Sequence, residues 1–165
     1  LVDDVAKSAK DLALAEASEN RLLFATAELK EDLHISGTAR LKLRVASSKP
    51  ACNLSIMLVS LPWERTRRIT DNVITRGWAD PQNHRSLTES EPLKPGAFYD
   101  LEFDLQPDDQ VIPAGQRIGL MIFSSDKEHT LHPAPGTRLT VALSATELTL
   151  PIVGGEGAFL KATRE

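Results

Sequence analysis

Apolar and polar residues alternate along much of this chain, with the period of two that is typical of β-strands. Cationic residues fill the polar positions of residues 39–45, and anionic residues fill those of 99–105. A second group, residues 54–61 and 118–123, is apolar at nearly every position, which favours central strands covered on both faces. The pattern predicts strands over residues 39–45, 54–61, 69–78, 99–105, 118–123, 139–143 and 148–152, with a weaker candidate over 22–29.

The first residues of the chain follow a different period. Apolar side chains recur there at spacings of three and four, which predicts an amphipathic helix over residues 2–18. The apolar stripe of this helix consists of Val2, Val5, Ala9, Leu12 and Ala15. Because the stripe is rich in alanine, we expect the helix to pack on a larger unit.

Proline and glycine separate the predicted strands, as expected for turns. Pro95-Gly96 predicts a tight turn, and Pro107 followed by Asp108 and Asp109 predicts a break. Many short strands with such punctuation indicate an all-β sandwich, and two longer connections over about 62–68 and 79–97 favour a jelly roll. We therefore expect a helical lead-in over residues 1–20, a jelly-roll domain over 21–153 and a flexible, glycine-containing tail over 154–165.

The charged stripes of two predicted strands are complementary. If the strands are neighbours, the cations can pair with the anions across the sheet; two separate solvated faces are the alternative. The cations are Arg40, Lys42 and Arg44, and the anions are Asp100, Glu102 and Asp104.

Composition and charge exclude several classes of function. The 165 residues carry a net charge of −4, which argues against a nucleic-acid partner. No apolar run approaches the roughly 20 residues needed to cross a bilayer, so no membrane is expected. Cys52 is the single cysteine and cannot form an internal disulfide; a buried thiol and a reducing cytoplasm are the expected setting. The sequence is compatible with either a monomer or a homo-oligomer.

Motifs for catalysis and cofactors are absent from the sequence. There is no G-x-S-x-G nucleophile elbow, since Ser36-Gly37 lacks the first glycine, and no phosphate loop or dinucleotide fingerprint. His129 and His132 lie near Asp126 and Glu128, but this spacing matches no known metal motif. We therefore predict no catalytic residue, no metal and no cofactor in this chain.

Two aromatic-containing segments are the candidate interaction sites. Trp63 could be an exposed ligand platform or could cap the edge of the core. It precedes the basic cluster Arg65, Arg67 and Arg68, which is either a solvated loop or a contact for an acidic partner. In the second segment, Gly77 predicts a strand bulge or a close backbone approach. The residues around Gly77 could anchor the long loop or contact another domain: Arg76, Trp78, His84 and Arg85.

Seven segments of the chain, taken in their order, carry a resemblance to a known family. They are LHISG (33–37), the strand LKLRV (41–45), ITRGW (74–78), HRSL (84–87), PLKPG (92–96), IPAGQRI (112–118) and FSSD (123–126). With these segments the chain resembles the carboxyl-terminal domain of X-prolyl dipeptidyl aminopeptidases, serine peptidases grouped with the cocaine esterase and acylase-type hydrolases. The resemblance covers roughly residues 22–153. The family often has tyrosine or leucine in place of Trp78 and histidine in place of Gln116.

The resemblance implies a galactose-binding-like jelly roll that carries no catalytic residue. In such enzymes the Ser-Asp-His triad belongs to a preceding α/β-hydrolase domain, and no position here matches it. The chain begins at Leu1 rather than at methionine, so we expect a piece of a longer protein. The expected function is an accessory domain that packs on the catalytic domain of a peptidase releasing amino-terminal X-Pro dipeptides. A carbohydrate- or surface-binding module, or the same domain of a related acylase or esterase, are the alternatives.

Overall fold

The computed structural model describes residues 1–64 and 68–164 of the chain as an all-β sandwich with short helices. Arg65 and Arg67 of the predicted basic cluster therefore lie outside the described residues, whereas Arg68 is exposed. The strands are β1 (Arg21–Ala25), β2 (Leu33–Gly37), β3 (Arg40–Ser47), β4 (Leu54–Leu61), β5 (Val73–Ala79), β6 (Phe98–Asp104), β7 (Asp108–Ile112), β8 (Arg117–Phe123), β9 (Leu139–Val141) and β10 (Glu147–Thr149). The helices are α1 (Ala9–Leu14), α2 (Ile69–Asn72) and α3 (Gly155–Thr163), with 3₁₀ turns at Pro81–Asn83 and Leu143–Ala145.

Two antiparallel sheets form the sandwich. The first sheet has the order β1-β8-β4-β5, and the second has the order β10-β3-β6, with β9 also pairing with β3. A small third sheet consists of β2 and β7. The larger core contains side chains from both main sheets, among them Leu41, Leu43, Leu54, Ile56, Leu58 and Ile122.

The strands β4 and β8 are covered on both faces, as the sequence predicts. One face of each contributes to the core between the sheets. The other face meets helix α1, which forms a smaller cluster through Ala9, Leu12 and Ala13 with Met57 and Met121. The uninterrupted apolar character of these strands therefore reflects two separate cores.

Helix α1 is shorter than the predicted helix over residues 2–18. Val2 instead forms an antiparallel bridge with Arg138. Ser8 caps the helix, because its hydroxyl accepts a hydrogen bond from the Asp11 backbone while the Asp11 carboxylate accepts one from the Ser8 backbone. Arg21 closes the other end: its guanidinium donates to the Leu12 and Ala15 carbonyls. The helical spacing of apolar residues therefore reaches further than the helix itself, because the segment around Val2 is extended.

Three further predictions of local structure are wrong. Asp108 and Asp109 begin strand β7 and pair with Gly37 and Ser36 rather than breaking the chain. Residues 69–72 form helix α2, so the predicted strand 69–78 begins only at Val73. The segment predicted as a flexible tail contains helix α3, whose N-cap Gly154 and first residue Gly155 both have positive φ.

Candidate functional site

Strand β5 places Arg76 and Trp78 on one face and Gly77 on the other. Met57 lies opposite Arg76 in the register, on the face that α1 covers. A Cβ added to Gly77 would lie 2.5 Å from Leu105 Cδ2 and 3.3 Å from Leu105 Cα. The close backbone approach predicted for Gly77 is therefore confirmed, and it brings β5 against the end of β6.

Trp78 links two loops at one end of the first sheet. Its ring stacks on His129, with centroids 5.3 Å apart and planes 27° apart. His129 in turn places Nδ1 3.3 Å from Oδ2 of the buried Asp126. The long loop after β5 and the loop after β8 are therefore joined through Trp78 and His129.

His84 and Arg85 contact partners within their own loop and in strand β6. The His84 ring meets the Tyr99 ring edge-on, with ring centroids 4.6 Å apart. The Nδ1 atom of His84 lies 3.1 Å from the Pro81 carbonyl oxygen. Arg85 pairs with Glu91 at 3.3 Å. These contacts match the anchoring role considered for the segment.

The four residues singled out from the sequence do not form one cluster. Trp78, His84 and Arg85 line a groove of about 470 Å³ between the loop and β6. Arg76 is absent from that lining; it borders a separate cavity of about 100 Å³ with Trp63 and His129. Arg76 therefore does not line the groove that His84 and Arg85 share.

Trp63 is half-buried and packs against the smaller core beneath α1. This position matches the alternative in which Trp63 caps the edge of the core. Its role as a ligand platform stays a prediction.

Two exposed leucines, which the sequence analysis does not single out, lie on the loops that Trp78 and His129 join. Leu87 is 92% exposed and Leu131 is 88% exposed. The carboxyl ends of β5 and β8 both lie beside the start of β4, since Ala79 pairs with Leu54 and Phe123 pairs with Ser55. Both loops therefore leave the sheet at the same end, which we call the loop end.

The amino-terminal segment is fastened to the same loop end. The Asp3 carboxylate accepts hydrogen bonds from the Ser125 backbone at 2.9 Å and its hydroxyl at 3.0 Å, and the Asp3 backbone donates to Thr137 at 2.7 Å. Ser125 and Thr137 lie on either side of Leu131. Residues 1–3 therefore enter the fold at the base of the loop that carries Leu131.

The candidate chemical groups lie apart from one another. Ser36 lies in β2, where its backbone donates to Pro151, and the neighbouring His34 pairs with Asp109 at 2.5 Å. Within residues 1–64 and 68–164, no group of three or more His, Cys, Asp or Glu side chains could hold a metal ion. No helix in this part of the chain is long and apolar enough to cross a membrane.

Burial governs the state of Cys52. The thiol is buried and free, and burial raises its pKa to about 11 from the ordinary value of 9.0. The burial predicted for Cys52 is confirmed. A thiol held in its neutral form is a poor nucleophile, and the low reactivity of Cys52 stays a prediction.

Residues 1–160 match the family described as the X-Pro dipeptidyl-peptidase C-terminal non-catalytic domain. The chain belongs to this family. A Rhodopirellula baltica protein provisionally named a Xaa-Pro dipeptidyl-peptidase is 61% identical over 157 residues, which cover 94% of this chain and 25% of that protein. The Xaa-Pro dipeptidyl-peptidase of Lactobacillus delbrueckii subsp. lactis is 29% identical, over 78% of this chain and 20% of that protein.

Solved structures show the same fold as this C-terminal non-catalytic domain. An α-amino acid ester hydrolase matches 84% of the chain with a TM-score of 0.67 and 16% identity, over 26% of its own length. A CocE/NonD family hydrolase from Staphylococcus aureus matches 84% with a TM-score of 0.62 and 15% identity, over 31% of its length. The chain thus spans about a quarter of the length of the relatives it matches.

Proposed function

We propose that this domain packs on the α/β-hydrolase catalytic part of a Xaa-Pro dipeptidyl-peptidase, and that the loop end is the surface that meets it. The observation that carries the proposal is the pair of exposed leucines, Leu87 and Leu131, on two loops joined by Trp78 and His129. Each of these leucines would bury its apolar side chain against a second domain that packs on the loop end. The family name supports a non-catalytic role for the chain itself.

The position of the amino-terminal segment supports this choice of surface. The family description places the domain at the carboxyl end, so the catalytic part would precede it. Residues 1–3 are fixed by Asp3 to Ser125, at the base of the loop that carries Leu131. A preceding domain would therefore emerge beside the loop end.

A contact at the loop end would also let this domain shape the entrance to the catalytic site. The Trp78–His129 stack and the Arg85–Glu91 pair restrain the two loops. Loops restrained in this way would keep one conformation at the entrance to the catalytic site. The parent reaction in this proposal is the release of amino-terminal X-Pro dipeptides.

Two finer features belong to the same proposal. The antiparallel sandwich and its crossover order support a jelly roll of the galactose-binding-like type. The single buried thiol of Cys52 supports a reducing compartment such as the cytoplasm.

The non-catalytic role is tested with the purified 165-residue chain and Ala-Pro-p-nitroanilide. We expect no release of nitroaniline above the buffer rate. Turnover that scales with the amount of chain and resists repurification would contradict the proposal.

The docking surface is tested in a chimera in which this chain replaces the 61% identical region of the Rhodopirellula baltica protein. We expect Leu87→Asp and Leu131→Asp together to loosen the contact, so that limited proteolysis releases a fragment of about the mass of this domain, 18.1 kDa. The matched control is Leu143→Asp, which changes an exposed leucine on the 3₁₀ turn after β9. Equal protease resistance of the double variant and the control would exclude the loop end as the interface.

A further inference from the structure

Within residues 1–64 and 68–164, no strand pairs with the outer edge of β6, the edge that faces away from β3. The Leu105 backbone donates to Ala39 at 2.8 Å, which fixes the phase of the antiparallel β3–β6 pair. Because hydrogen-bonded pairs alternate along such a pair, Leu101 and Phe103 bond to β3 while the groups of Asp100, Glu102 and Asp104 point away from it. In the described part of the chain, the backbone groups of these three residues form no hydrogen bond with the loop that follows β5.

The neighbouring strand β5 shows what these outward groups can bind. At Gln106, the next outward position, the backbone N–H donates to Arg76 at 2.8 Å and the carbonyl accepts from the Thr75 hydroxyl. Beyond Gly77 the chain moves away from β6, and the groove of about 470 Å³ opens between them. The groove therefore occupies the place that a strand continuing from β5 would fill.

Both apolar and acidic side chains line the groove. Leu87, Leu101 and Phe103 contribute to its lining, together with the carboxylates of Glu102 and Asp104. Asp104 is hydrogen-bonded to Arg40 at 2.7 Å, but Glu102 lies 3.6 Å from Arg40 and 3.9 Å from Lys42. Asp80 adds a further carboxylate to the lining, whereas Arg85 is already paired with Glu91. Glu102 can therefore accept hydrogen bonds from another cation.

We propose that the β6 edge binds a free peptide in extended conformation, with basic residues at alternate positions and apolar residues between them. Residues opposite Asp100, Glu102 and Asp104 would share their solvent face and pair with the carboxylates, as Arg40, Lys42 and Arg44 do on β3. The intervening residues would face Leu101 and Phe103. A second copy of β6 would set carboxylate against carboxylate, which disfavours self-pairing.

The test uses the ¹⁵N-labelled 165-residue chain and the peptide Ac-Lys-Val-Lys-Val-Lys-NH₂. We expect saturable shifts of the Asp100, Glu102 and Asp104 amides, and slower hydrogen exchange at these positions. N-methylation of the central lysine removes the backbone donor without altering the protein, so binding should weaken by about tenfold, the effect of one hydrogen bond. Ac-Glu-Val-Glu-Val-Glu-NH₂ should not compete.

Variants then separate this edge from general charge attraction. Glu102→Lys should invert the preference toward the acidic peptide, with folding checked by circular dichroism. The control Glu147→Lys makes the same charge change on β10, at the other side of the second sheet.

Any one of four results would overturn the proposal. These are equal affinity for the N-methylated peptide, shifts confined to other residues, a dimer paired through β6, or loss of binding in the full-length chimera.

Discussion

Trp78 and His129, which are 51 positions apart in the chain, stack with ring centroids 5.3 Å apart. One lies near the end of β5, and the other lies in the loop after β8. The strand β4 lies between β5 and β8 in the sheet, so this contact spans the ends of three adjacent strands. The His129 backbone donates to the Asp126 carbonyl at 3.0 Å, and the imidazole Nδ1 lies 3.3 Å from Asp126 Oδ2. The stack therefore holds together the two loops that carry Leu87 and Leu131.

Removal of this stack should destabilise the domain. We expect Trp78→Ala and His129→Ala to be coupled by about 0.5–1.5 kcal/mol in a double-mutant cycle, the range for stacked aromatic pairs. Urea unfolding followed by circular dichroism supplies the free energies.

The control cycle combines Trp63→Ala with His129→Ala. Trp63 borders the same small cavity as His129, but no ring stacking joins them. We expect little coupling in this second cycle. Equal coupling in both cycles would mean that the effect comes from general loosening of the cavity.

The charged stripes show how far the sequence determines the fold. Arg40 lies opposite Asp104, Lys42 opposite Glu102, and Arg44 opposite Asp100. The pairing of β3 with β6 was predictable because each stripe repeats with the period of a strand and the two have opposite sign. The covered strands β4 and β8 were predictable for a similar local reason, their lack of polar positions.

Other features depend on contacts that no local pattern encodes. Val2 continues the helical spacing, but its segment is held extended by the bridge to Arg138. The strand β7 begins at two aspartates because β2 supplies partners for it. The stack of Trp78 on His129 and the exposure of Leu131 depend on the arrangement of distant loops. Only the general location of the candidate surface was therefore predictable.

Gly77→Ala should be strongly destabilising. The added Cβ would lie 2.5 Å from Leu105 Cδ2 and 3.3 Å from Leu105 Cα, so the Leu105 side chain would have to move and the backbone at Leu105 would have to shift. Overpacking of this kind costs about 1–3 kcal/mol. Thermal and urea unfolding of the variant measure the loss.

The matched control is Gly157→Ala in helix α3. Nothing lies within 4 Å of the added Cβ there. Alanine favours a helix interior over glycine by about 0.5–1 kcal/mol, so we expect slight stabilisation. If both alanine variants changed stability by the same amount, the close approach at Gly77 would not be the cause.

The Arg40–Asp104 pair should make stability fall in acid. The hydrogen bond from Arg40 holds the pKa of the Asp104 carboxyl below its ordinary value of 3.8. Because the folded pKa is the lower one, the contribution is present above pH 3.8 and is lost as pH falls through the folded pKa. Urea titrations between pH 5 and 2 should give a shallower acid slope for Asp104→Asn, and high salt should reduce the difference. An unchanged slope would show that the pair does not contribute.

Cys52 should be unreactive until the chain unfolds. Burial raises the thiol pKa to about 11, so at pH 8 the folded chain holds almost no thiolate. We expect slow labelling by 5,5′-dithiobis(2-nitrobenzoate) without urea and rapid labelling of the same chain in urea. Between the unfolded pKa near 9.0 and the folded value, the unfolded state gains from ionising, so stability should decline as pH rises from 9 to 11. Cys52→Ser tests this assignment: because the serine hydroxyl does not ionise in this range, the decline attributable to Cys52 should disappear. Fast labelling of the folded chain at pH 8 would instead require an opening of the core around Cys52.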